Sequence, residues 1–161
     1  MIAFFRFLDN LLDKIIVFFD RISNVFLLVI MVVGSLDVIG RYFNRPLMGS
    51  VELTTMGMAI LVFLSLAIAH KYNDHISIDF LTEKLPDKAK HVLYALIEFA
   101  VAVFVFVMAI RLMRYGLNLM ERNLTTTDLK LPVYPFYFVA TAGLAAFSLT
   151  ALSKGVKYLL K

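Results

Sequence analysis

Three carboxylates stand where an apolar chain has little reason to place them. Asp37 closes an apolar run and is followed one helical turn later by Arg41, Glu52 opens the next run, and Glu98 lies well inside a third. An acid and an arginine spaced i, i+4 share a helix face and can pair. A lone charge at mid-bilayer costs roughly 2.5–3.5 kcal/mol on insertion scales, and pairing or a place near the interface lowers that cost. Two readings therefore stand for Asp37, Arg41 and Glu52. One is an ion or proton site. The other, favoured because the cluster falls at the edge of the apolar runs, is a structural clamp. In it Glu52 approaches Arg41 across a turn containing Pro46 and Gly49. Glu98 also has two readings, since an intramembrane acid is by default a functional candidate. It is either a protonated or hydrogen-bonded carboxylate facing a partner or a helix neighbour, or a protonatable site of the kind a small exporter uses.

Other chemistry is poorly supplied. His70, His75 and His91 fall at or near one predicted loop. A haem site in a helical bundle needs histidines projecting inward from facing helices, so all three are expected to be solvated or interfacial. Cysteine is absent, which excludes disulfides, thiolate ligands and thiol redox chemistry. No nucleophile–base pair or metal cluster is visible, so neither an enzyme nor a cofactor is expected. Asn123-Leu124-Thr125 matches the glycosylation triplet, a short pattern that recurs by chance.

The elements that must position these residues are apolar and long. The chain has 161 residues, 61% of them hydrophobic, and a mean hydropathy of +0.83. Soluble domains average roughly 45–50% apolar. A fold class follows: all-α integral membrane protein, one domain over 1–161, with four transmembrane helices at about 22–40, 53–70, 91–111 and 132–153. Residues 1–21 precede them. Arg6, Asp9, Asn10, Asp13, Lys14, Asp20 and Arg21 recur at spacings of three and four among phenylalanines, leucines and isoleucines. That pattern predicts an N-terminal amphipathic interfacial helix, the alternative being an extension of the first span. Asp9 and Asp13 sit in its apolar stretch and no small-residue cleavage site follows, which argues against a secretory leader.

All seven tyrosines, at 42, 72, 94, 115, 134, 137 and 158, lie at or near predicted span ends, where amphipathic rings favour the headgroup level. The two tails and the middle loop hold ten lysines and arginines, against six for the other two loops. Both termini are therefore expected in the cytoplasm. The net charge of +4 reports lipid contact and topology rather than nucleic acid. Gly116 and the polar run Asn123–Asp128 predict an ordered external loop. Pro132 and Pro135 suit the first turn of the fourth helix. Thr141, Gly143, Ala145 and Ala146 offer that helix a small-residue packing face.

At this point the order of motifs resembles a family. GRYFNRPLMGSVEL, from Gly40 to Leu53, resembles the segment joining the first two helices of the small permease subunit (DctQ-like) of TRAP, tripartite ATP-independent periplasmic, transporters. An arginine-tyrosine pair, Arg41 and Tyr42, precedes an N-x-P turn, Asn44 and Pro46; Glu52 and Leu53 then open the second helix. AHKYNDHISIDFL resembles that family's exit from helix two, with His75 and Asp79 in an H-x-x-x-D pattern. LPVYPFYFVATAGLAAF resembles its fourth helix. The likeness runs from about Asp37 onward. Two departures are the lack of tryptophan and Ala142-Gly143 where Pro-Gly is frequent.

The resemblance implies a multi-pass subunit of a bacterial inner membrane transporter. Its partners would be a periplasmic substrate-binding protein, a large permease subunit carrying substrate and sodium, and membrane lipids. The small subunit would be a static scaffold beside an elevator-like partner, binding no substrate itself. The cargo would be an organic acid, sialic acid and C4-dicarboxylates being the kinds such transporters carry. Asp37, Arg41, Glu52 and Glu98 are then expected to be clamp or subunit-contact residues. The competing readings are a self-sufficient small homo-oligomeric transporter using Glu98, and a membrane-bound assembly protein.

Overall fold

Among the described residues, four long helices carry the chain back and forth. The computed structural model describes residues 2–72 and 87–159, with side chains from 12 to 72 and from 89 to 158. The helices are α1 (Ile2–Tyr42), α2 (Ser50–Lys71), α3 (Asp87–Glu121) and α4 (Tyr134–Leu159). Each contains a segment long and apolar enough to cross a membrane: Leu12–Tyr42, Ser50–Lys71, Ala89–Glu121 and Tyr134–Tyr158. The four expected spans are thus all present. His75 and Asp79 lie outside the described residues.

The N-terminal boundary differs from expectation. No helix ends near residue 21; α1 runs unbroken from Ile2 to Tyr42. The local reason is that neither glycine nor proline occurs between Ile2 and Val33, so nothing in the backbone stops the helix there. Packing adds to this. Ile16 is 1% exposed, and Leu12 and Phe19 pack on the core beside it. From Leu12 onward, then, the apolar stripe is covered at least partly by the bundle.

Helix α4 sits at the centre. It packs along α2 on one side and α3 on the other, and α1 packs chiefly on α2, giving the lateral order α1–α2–α4–α3. Small residues make this possible. Ala140, Leu144, Ala146, Phe147 and Ala151 are buried on α4. A Cβ built on Gly143 would lie 2.2 Å from the Phe63 carbonyl oxygen, so only glycine lets α2 and α4 approach this closely. Ile16, Ala67, Val105, Ala109, Leu144, Ala146 and Phe147 form the core cluster.

Two asparagines stop the long helices. Asn44 has φ +55° and Asn123 φ +48°, a left-handed state that asparagine tolerates better than most residues. In each case paired backbone bonds close the helix end: Arg45 N–H to Gly40 O at 2.7 Å with Asn44 N–H to Arg41 O at 3.1 Å, and Leu124 N–H to Leu119 O at 3.2 Å with Asn123 N–H to Met120 O at 3.1 Å. The asparagine of the N-x-P turn is therefore a helix stop, and so is the asparagine of the glycosylation-like triplet. The predicted loop before α4 is ordered. Thr126 N–H donates to Leu131 O at 2.9 Å, and Val133 N–H to Leu124 O at 3.2 Å. Pro135 falls in the first turn of α4.

Candidate functional site

The polar residues gather at the two ends of the bundle. At the α1–α2 turn, Asp37 is 8% exposed. Its Oδ2 accepts from Arg41 Nε at 2.9 Å and Nη2 at 2.8 Å, and its Oδ1 accepts from the Leu47 amide at 3.0 Å. The i, i+4 pair expected from the spacing is present. Its carboxylate also holds the turn backbone ten residues on. Half of Arg41 stays outside, with its side chain 59% exposed. Tyr42 is 83% exposed and meets Phe43 edge-on at 5.3 Å.

Glu52 does something other than expected. Its Oε1 accepts from the Asp128 amide at 2.8 Å and its Oε2 from the Leu129 amide at 3.1 Å. It therefore ties the start of α2 to the loop before α4, rather than pairing with Arg41. Gly49 makes room for this. It has φ +76°, and a Cβ there would lie 2.3 Å from the Leu129 side chain. Two loops that are distant in sequence thus seat on one another through one carboxylate and one glycine.

At the opposite end, Glu98 has a partner within the chain. His70 Nε2 lies 2.9 Å from Glu98 Oε2, and the two side chains are 8% and 14% exposed. The His70 ring stands edge-on to Phe147 at 4.6 Å, and Lys154 donates its ammonium hydrogen to the His70 carbonyl oxygen. His70 is thus buried, in the last turn of α2, where a solvated or interfacial place was expected. Glu98 lies inside the apolar segment Ala89–Glu121 of α3, as its place in the third run implied, and what it faces is a helix of the same chain. On α3, His91 Nδ1 is buried with no hydrogen-bond partner among the described residues. Lys71 pairs with Asp13 at 2.9 Å at this same end.

Between the two ends four hydroxyls bond to backbone carbonyls. Ser65 donates to Leu61 O at 2.6 Å, Thr141 to Tyr137 O at 2.7 Å, Ser148 to Ala102 O at 3.0 Å and Thr150 to Ala146 O at 2.8 Å. Ser148 is the one of these that joins two helices. Among the described residues no group of three His, Cys, Asp or Glu could hold a metal ion.

Four apolar spans with an ordered loop platform at one end define a small multi-pass membrane protein. Residues 30–159 match the family of tripartite ATP-independent periplasmic transporters, DctQ component. The chain belongs to that family, and so to the small components of TRAP transporters. No curated protein matches it in sequence.

Sequence reasoning found Asp37, Arg41 and Glu52 but missed the Asp128 and Leu129 amides, His70 as a buried group, and Lys154. Lone backbone amides leave no trace in residue type. Nothing local to Lys154 points to a carbonyl 84 residues away.

Proposed function

We propose that this chain is the scaffold subunit of a sodium-coupled TRAP transporter in the bacterial inner membrane, with both termini in the cytoplasm. It pairs with the large permease subunit, which carries substrate and sodium. The cargo is an organic acid, of the sialic-acid or C4-dicarboxylate kind, delivered by a periplasmic binding protein. One observation carries the reading. The acids of the two end clusters bond within the chain itself: Asp37 to Arg41 and Leu47, Glu52 to Asp128 and Leu129, Glu98 to His70. Such groups hold a shape, and the acids so bonded are not open to a passing solute. The outer faces of α1 and α3 support the same reading. Leu28, Met31 and Val38 on α1 and Val103 and Phe104 on α3 are 60–69% exposed, an apolar surface suited to lipid and a large neighbour.

Reconstitution tests this. Vesicles holding this chain together with the large permease and the binding protein should take up the organic acid in a sodium-dependent way. Vesicles holding this chain alone should take up none. Sodium- or proton-linked uptake by the chain alone would overturn the scaffold reading in favour of a self-sufficient transporter built on Glu98.

A further inference from the structure

A groove between α1 and the end of α2 belongs to neither loop clamp. Asp13, Lys14, Val17, Phe18 and Arg21 of α1 and Lys71 of α2 line an open space of about 380 Å³. Lys14, Val17, Phe18 and Arg21 fall at i, i+3, i+4 and i+7, a single stripe of one helix face. The stripe reads cation, two apolar side chains, cation. Lys71 closes it from α2, its Nζ 2.9 Å from Asp13 Oδ1 and 5.4 Å from the centre of the Tyr72 ring. Asp13 is thus engaged by Lys71. Among the described residues no carboxylate lies within ion-pair distance of Lys14 or Arg21. The groove therefore carries an excess of positive charge.

Its apolar half points to the class of ligand. Phe18 is 60% exposed, and the stripe continues down α1 through Val25, Leu28 and Val32, which are 59%, 62% and 57% exposed. Cations at the end of a spanning segment with an apolar stripe beneath them match an amphiphile, with its negative head at the membrane surface and its chains along the helix. Inorganic phosphate would satisfy Lys14 and Arg21 but leave Phe18 and the stripe uncovered. A guanidinium fork fits two phosphate oxygens at once. We propose that this groove binds the phosphate headgroup of an anionic phospholipid, with Arg21 and Lys14 on the phosphate oxygens and Phe18 and Val17 against the start of the acyl chains. The inference rests on the membrane-spanning helices and not on the transporter reading. A bound lipid would tie the first part of α1 to the membrane surface and to α2.

Native mass spectrometry of the full chain in detergent, titrated with phosphatidylglycerol or phosphatidylcholine, tests it. Phosphatidylglycerol should be retained more tightly. Arg21→Gln should weaken that retention about tenfold, the scale of one lost charge-assisted contact, and Arg21→Lys should preserve most of it. Lys157→Gln, which removes a cation at the same end but outside the groove, should change nothing. Equal losses in Arg21→Gln and Lys157→Gln would mean diffuse attraction and overturn the site, as would equal retention of the two lipids. Added inorganic phosphate should fail to displace the lipid. Full displacement, with no effect of Phe18→Ser, would overturn the lipid as occupant.

Discussion

Asp37 shows how one carboxylate can act at two ranges. One oxygen meets Arg41 a turn away and the other meets the Leu47 amide across the α1–α2 turn. Replacing Arg41 with Ala should therefore impair assembly with the large subunit or the transport rate, while substrate selectivity stays the same. Co-purification yield and competition between organic acids measure the two separately, and altered selectivity would refute the clamp. Glu98 calls for a different substitution. Glu98→Gln keeps a hydrogen-bond partner for His70, so assembly and uptake should persist; a loss of more than about tenfold would mark Glu98 as a working acid. Glu98→Ala removes the carboxylate that the buried His70 meets and should cost about 1 kcal/mol, the usual net worth of one hydrogen bond, read as a lower unfolding midpoint in detergent.

The helices and loops are governed by a few contacts between distant segments. Glu52 joins α2 to the loop before α4 through two amides. Glu52→Gln leaves one acceptor oxygen for two amides and sets an NH2 donor against the other N–H, so hydrogen exchange at Asp128 and Leu129 should speed up while the helices stay protected. Unchanged exchange there would show that Leu129 packing against Gly49 holds the loop alone. For α4 the test is Gly143→Ala. Propensity alone would stabilise a helix by about 1 kcal/mol. The new Cβ, however, would meet the Phe63 carbonyl oxygen at 2.2 Å, and forced overpacking costs about 1–3 kcal/mol. The clash should win, and the unfolding midpoint should fall. A rise would mean that α2 and α4 can move apart without penalty.

At the scale of the whole molecule, helix length and lateral order matter most. The spanning segments of α1 and α3 hold 31 and 33 residues, against 22 and 25 for α2 and α4. At 1.5 Å per residue the longer pair exceed a hydrocarbon core of about 30 Å, so they tilt or project beyond it. The order α1–α2–α4–α3 puts these two long helices on the outside, each with an apolar outer face. On the proposed scaffold reading, a chain presenting such faces should travel with a larger partner. Affinity purification of the tagged chain from its native membrane should recover a large polytopic subunit, whereas recovery of further copies of itself alone would favour the homo-oligomeric reading.

Much of this was legible in the residues. The four spans, the tyrosines at their ends, the Asp37–Arg41 pair and the small-residue face of α4 all follow from hydrophobicity and helical period. Those are properties of neighbours along the chain. The continuity of α1 past residue 21 was less visible, because an amphipathic stripe looks the same whether lipid surface or protein core covers it. Only the tertiary structure decided that Glu98 meets His70 across 28 residues and that Glu52 meets the loop 76 and 77 residues on. Which helix lies beside which, and at what height, is set by side-chain volume at the crossings, above all where Gly143 admits the Phe63 backbone. No local pattern carries that information, since every apolar helix face offers much the same hydrophobic gain until shapes are fitted together.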